Sequence, residues 1–214
     1  MSSYIVWLIM LIISIIISVW IHEVGHGISY FIQGKEVSTG FNKVGDIHKK
    51  PSDVDFRGSL QNYILPWDLG VPITLILAII STILIYMVSN KNMLYIIAVF
   101  AITNSLLRLI PMFNSLLGLL KHGELRMEDE IGMGIMWYNN TGITVLKYLP
   151  MIISVLISII CYYFTIKGIK MKVDTINIGT TEFFVATIIS FLLSYKFLDI
   201  LDEFFRINWR QKIT

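Results

Sequence analysis

His22-Glu23-Val24-Gly25-His26 is the stretch of this 214-residue chain whose residue types and spacing can do chemistry. Two histidines four residues apart project from one helix face, a turn apart, so both imidazoles can bind one Zn²⁺. Glu23, beside His22, is placed to reach a zinc-bound water rather than to ligate. Zinc lowers the pKa of such a water towards ~7, and the carboxylate then takes the proton and passes it to a leaving amine. With four histidines and seven glutamates in the chain, a chance HExxH match is expected in roughly a few of a thousand such sequences. The location sharpens the signal, because the pentad lies inside an apolar stretch and Gly-Ile-Ser-Tyr-Phe-Ile follows it before the first lysine. An ionisable residue there costs ~2.5 kcal/mol or more on insertion scales, which makes it functional by default. The bland alternative is a hydrogen-bonding pair of His22 and Glu23 between helices near the interface.

The elements that must carry this pentad follow from composition. The chain is 55% hydrophobic and 15% charged, with a mean hydropathy of +0.71, whereas a soluble domain carries about a quarter charged residues. Disordered, collagenous and disulfide-scaffold classes are excluded. The single cysteine, Cys161, lies in an apolar run, and a net charge of +2 does not argue for nucleic acid. The expectation is an all-α membrane protein, one domain over residues 1–214, with the lipid bilayer as its surroundings. A bilayer core needs about 20 apolar residues per helix, and five stretches qualify: about 4–32, 71–88, 93–120, 145–166 and 183–205. The third is too long for one straight span, and Pro111 is expected to break it. No basic region precedes Tyr4 and no small-residue cleavage site follows the apolar run, so the first segment is expected to stay as a transmembrane helix.

Orientation follows from Lys and Arg in the loops. Lys35, Lys43, Lys49, Lys50, Arg57, Lys121, Arg126, Arg206, Arg210 and Lys212 fall on one side, and Lys91, Lys167, Lys170 and Lys172 on the other. Ten against four predicts a cytoplasmic C-terminus and an N-terminus outside. The polar region Gly34–Gly70 reads as a small membrane-edge hairpin or sheet; Asp53-Val-Asp-Phe-Arg57 alternates weakly, between Pro51 and Gly58. Trp7, Trp20, Trp67, Trp137 and Trp209 read as packing and belt residues.

The pentad in its membrane helix resembles the site-2 protease family of intramembrane zinc metalloproteases. Gly70-Val-Pro-Ile-Thr-Leu-Ile-Leu-Ala78 is similar to that family's Gly-Pro-rich lead-in to the next core helix. Asn104-Ser-Leu-Leu-Arg-Leu-Ile-Pro111 looks like a stretched form of its Asn-Leu-Leu-Pro element. The likeness covers about Ile5 to Met136, more than half the chain. It implies a third, acidic zinc ligand on a later helix or its border. The family's Asp-Gly pair after the proline is absent here, for Pro111 is followed by Met-Phe-Asn114-Ser115, and an amide is a poor zinc ligand. Glu128-Asp129-Glu130-Ile131-Gly132 looks like a variant of the motif, and Asp129 is the ligand the resemblance implies. Asn114, Glu128, Glu130 and His122 stay open as alternatives, and a solvated acidic loop is the plain reading of that run. In the same likeness Asn104 binds the substrate backbone or its oxyanion; otherwise it makes an interhelical hydrogen bond while Arg108 snorkels.

The topology is compatible with this set, because the first helix and the third end on one side. The expected function is an intramembrane zinc endopeptidase acting on transmembrane protein or peptide substrates, with Glu23 as base and His22, His26 and Asp129 on Zn²⁺. Edge strands from Gly34–Gly70 would capture the unwound substrate, and Gly25 and Gly27 would admit close helix approach. The rival is a non-catalytic membrane protein, either a pseudoprotease binding module or a metal-handling transporter. A transporter would carry ionisable residues along several spans; outside the pentad the main ones are Arg108 and Lys196.

Overall fold

The computed structural model describes residues 3–57, 60, 68–123, 125, 127–172 and 181–210. Gly58, Trp67, Arg126 and Lys212 lie outside the described residues. The chain opens with α1 (Ser3–Ile32), followed by a hairpin of β1 (Val37–Thr39) and β2 (Val44–Gly45). Then come α2 (Gly70–Met87), α3 (Lys91–His122) and the short α4 (Asp129–Thr141). A single tight turn at Thr144–Lys147 leads into α5 (Leu149–Lys172), α6 (Thr181–Phe204) and a last strand, β3 (Ile207–Trp209). This is an all-α membrane protein with a small sheet. Among the described residues four helices, α1, α2, α3 and α5, are long and apolar enough to cross a bilayer. The stretch expected as a fifth span forms α6, whose second half carries Lys196, Asp199, Asp202 and Glu203.

Outward faces are apolar: Ile76, Ile80 and Ile83 on α2, Leu156, Ile159 and Ile160 on α5, and Leu192, Phe197 and Ile200 on α6 are all exposed. A surface of that kind suits lipid, where only the inward side of each helix needs protein contact. Inward, Ile85, Leu94, Ala98, Ala101, Ile102 and Ile169 of α2, α3 and α5 form the core. Small polar residues line the contacts between helices, with Thr82 and Thr165 hydroxyls 3.0 Å apart and Ser154 and Ser158 buried on α5. α1 packs against α2 and α3, and against α6.

Pro111 does not break the third helix, contrary to expectation: α3 runs through it to His122. A proline removes one i→i−4 bond and crowds the preceding turn, but neighbouring helices make this tolerable in membrane helices. Met112, Ser115 and Gly118 remain buried beyond it, so packing holds the second half in line. Asp53–Arg57 also departs from its weak strand pattern. It forms turns, closed by Asp53 N–H on Lys50 O and Phe56 N–H on Asp53 O, and of this stretch Phe56 alone is buried.

The sheet has strand order β2-β1-β3, all antiparallel. Thr39 faces Val44 on one side and Ile207 on the other. The hairpin is expected; the third strand, from the tail, is not. Asp202 on α6 secures the hairpin turn by accepting from the backbone N–H groups of Phe41 and Asn42. The sheet then lies against α1 at Gly27, where any Cβ would collide with Thr39 Oγ1 and Trp209 Nε1. Those two side chains are hydrogen-bonded to each other at 3.0 Å. The sheet is thus fixed one residue beyond His26.

Candidate metal centre

His22 and His26 sit in the last third of α1, where the start of α2 crosses it. The crossing is close because both residues at it are glycines: a Cβ on Gly25 would stand 2.8 Å from Gly70 Cα. Just ahead of α2, Asp68 accepts from the Gly70 N–H at 2.9 Å, an aspartate turn that leads into the helix. The same Asp68 oxygen lies 2.7 Å from Nδ1 of His26. Nδ1 of His22 lies 3.2 Å from Thr74 Oγ1, one turn into α2, and the Thr74 hydroxyl donates to Gly70 O at 2.9 Å.

These partners fix the tautomers. Asp68 only accepts, and Thr74 has given its proton to a carbonyl, so each imidazole donates through Nδ1. In the neutral imidazoles both Nε2 atoms then carry lone pairs. They face each other at 2.9 Å. Asp129 Oδ2, a third acceptor, lies 3.1 Å from Nε2 of His22 and 3.5 Å from Nε2 of His26. With both imidazoles neutral, three acceptors converge here and the nearest donor is the Arg108 guanidinium, 3.5 Å from Asp129 Oδ2, a set that a bound cation would satisfy. Donors about 2.0–2.2 Å from a tetrahedral zinc stand about 3.3–3.6 Å from one another; of the three separations one falls in that range and the other two are shorter by a few tenths of an ångström. The outer shell fits as well, since imidazoles that ligate metal donate their other nitrogen to a carboxylate or another fixed acceptor. The residues therefore fit a zinc ion held by His22, His26 and Asp129.

Glu23 supplies a carboxylate oxygen within 4.8 Å of the donor atoms of both histidines. It forms no hydrogen bond or salt bridge among the described residues, so it is available for proton transfer. His22, Glu23, His26, Asp68 and Asp129 line one cavity of about 260 Å³, together with Tyr30, Val44, Arg57, Glu128 and Met133.

The other residues named from sequence fall elsewhere. Glu128 lines the cavity but precedes α4 as its cap residue. Glu130 is fully buried and points away from the imidazoles, accepting from Ser154 Oγ at 2.8 Å. Burial pushes its carboxyl up, and the neighbouring Arg108 guanidinium pulls it back. Asn114 and His122 are exposed on α3. Asn104 is fully buried, donates to Phe100 O at 2.8 Å, and is not part of the cavity wall. Arg108 does not snorkel; it is buried, 3.5 Å from both Asp129 and Glu130.

Sequence reasoning missed Asp68, Thr74 and the part Gly70 plays. Asp68 had a signal, as an aspartate just ahead of an apolar run marks a helix start, although nothing in that pattern says which imidazole it will meet. Thr74 and Gly70 had none beyond their place in the motif. No protein-family model matches the chain, and comparison with curated proteins and with solved structures finds no match either.

Proposed function

We propose that this chain is an intramembrane zinc endopeptidase, similar in its chemistry to the site-2 proteases, hydrolysing peptide bonds in or near transmembrane segments of other proteins. One observation carries the reading: three converging acceptors, from His22, His26 and Asp129, beside the unengaged carboxylate of Glu23, in one polar cavity of a membrane-helix bundle. A zinc ion held by those three residues would supply a Lewis acid that polarises the scissile carbonyl and brings a water's pKa towards ~7. Glu23 accepts the proton of that water and delivers it to the departing amine. Asp68 and Thr74 keep the two rings in the tautomer that leaves both Nε2 lone pairs free.

A peptide bond inside a helix is shielded by its own hydrogen bonds, so the substrate must be drawn out before it reacts. Support for capture by strand addition comes from Val44: it belongs to β2, an edge of the sheet, and it also lines the cavity. An extended segment adding at that edge would run past the reacting groups. In the orientation we favour, the N-terminus is outside and the C-terminus cytoplasmic, following the ten-to-four Lys and Arg asymmetry. The pairing of β1 with β3 puts the polar loop and the tail on one side, as that orientation requires with α6 crossing as a fifth span.

The test uses the purified full chain in lipid nanodiscs with a quenched fluorescent single-span peptide as probe. Wild type should hold one zinc and cleave the peptide, and Glu23→Gln should hold one zinc and cleave about 100-fold slower or less. Turnover near wild type in Glu23→Gln would remove Glu23 from the mechanism; wild-type protein that takes up no zinc would end the reading altogether.

A further inference from the structure

The third donor is held differently from the other two. His22 and His26 ride on a 30-residue helix packed into the bundle, whereas Asp129 begins a 13-residue one, and its side chain is 37% exposed. A functional group so placed needs outside support to stay within the ~0.5 Å that a working site tolerates. The support lies behind it. Arg108, buried on α3, has Nη1 3.5 Å from Asp129 Oδ2 and 3.5 Å from Glu130 Oε1. That Glu130 oxygen also accepts from Ser154 of α5. Three helices thus meet on two successive acidic residues, one turned inward and the other towards the imidazoles.

We infer that the buried Arg108–Glu130 pair, anchored by Ser154, is the positioning device that carries Asp129 to the metal; the inference rests on reading His22, His26 and Asp129 as the zinc ligands. Arg108 alone would hold Asp129, but an uncompensated guanidinium behind a ligand carboxylate repels a dication. Glu130 offsets that charge, so Asp129 is drawn by charge across 3.5 Å without an excess positive field at the site. The pair is not there for stability. Arg108 Nε and Nη1 and Glu130 Oε2 are buried without a hydrogen-bond partner, and an ion pair satisfied so incompletely is often matched or bettered by apolar residues of similar volume. Its orphaned atoms make sense if the two side chains are placed for what they do to Asp129.

The experiment measures zinc affinity of the purified full chain by chelator competition, with cobalt absorption reporting the ligand set. Arg108→Gln and Glu130→Gln are each made alone and on top of Asp129→Ala. With Asp129 present, each should weaken zinc about 10–100-fold, as loss of an outer-shell partner does, and change the cobalt spectrum in the way Asp129→Ala does. With Asp129 already replaced, the further loss should be under about twofold, since nothing is left to position. Ser154→Ala, a milder change, should act in the same direction and carries the test if Arg108→Gln does not fold. Equal losses in both backgrounds would make the pair a structural feature only and overturn the inference, as would wild-type affinity in both Glu130→Gln and Ser154→Ala. If Asp129→Ala itself leaves zinc affinity unchanged, the ligand assignment is what fails, and that result is separable from the others.

Discussion

Gly70→Ala asks how tightly the two imidazoles are held. A Cβ at residue 70 would stand 2.9 Å from Cε1 of His22 and 2.9 Å from Cε1 and Nε2 of His26. Carbon atoms in contact sit about 3.5–4.0 Å apart, so each ring must withdraw by about 0.6–1 Å. Neither is free to do so: His22 is tied to Thr74 and His26 to Asp68, both at the same helix start as Gly70. The added methyl therefore either breaks those ties or turns the Nε2 lone pairs off their common point. Loss of one outer-shell partner costs about 10–100-fold in metal affinity. Disturbing both rings belongs at the upper end, about 100-fold, or about 2.7 kcal/mol. The backbone raises no objection, since Gly70 is not among the glycines with positive φ and alanine favours helix over glycine by up to ~1 kcal/mol. Because the α1–α2 crossing is also tight at this residue, some stability should be lost, but the protein should still fold while zinc is lost. Chelator competition on the purified variant gives the affinity, and a thermal melt in the presence of chelator gives the fold. Wild-type zinc affinity in Gly70→Ala would refute the idea that the two rings are fixed against this residue for metal.

The remaining predictions can be checked together. Asp68→Asn keeps an oxygen that can accept from both His26 Nδ1 and the Gly70 N–H but removes the charge, so zinc should weaken about 10-fold. Asp68→Ala should be worse, up to about 100-fold, and unchanged affinity in Asp68→Ala would show that His26 needs no such partner. Reporters fused after Lys50 and after Lys212 should both read cytoplasmic and one after Lys170 outside. An outside signal at Lys50 would reverse the orientation.

The spans were legible because a bilayer imposes a length and a composition that no side-chain detail can disguise. The expected 71–88 and the observed Gly70–Met87 differ by a residue at each end for that reason. Pro111 misled because its local cost is real, yet three neighbouring helices outweigh it, and sequence adjacency carries no information about neighbours. The same limit hid β3. Ile207–Trp209 is too short for any alternating pattern, and it is a strand because Val37–Thr39 offers it an edge. The basic residues around it marked a polar segment and told nothing of pairing.

The site divides along the same line. The juxtaposition of His22 and His26 was legible because one helix turn contains their whole geometry: spacing alone brings two rings to one face. Asp129 lies 107 residues from His22, and its local setting, Glu128-Asp129-Glu130, offers three equivalent carboxylates to any reading of composition. What separates them is the first turn of α4. Successive helical residues point about 100° apart, so if Asp129 faces the imidazoles its neighbour Glu130 faces the bundle, where a nearby cation lowers the cost of burying it. Arg108 is that cation. Snorkelling to the lipid interface, the reading that sequence pattern offers for Arg108, treats it as a residue without a partner. An intramembrane charge is better asked which opposite charge it brings indoors, and here that question leads from Arg108 to Glu130 and, one residue back, to Asp129.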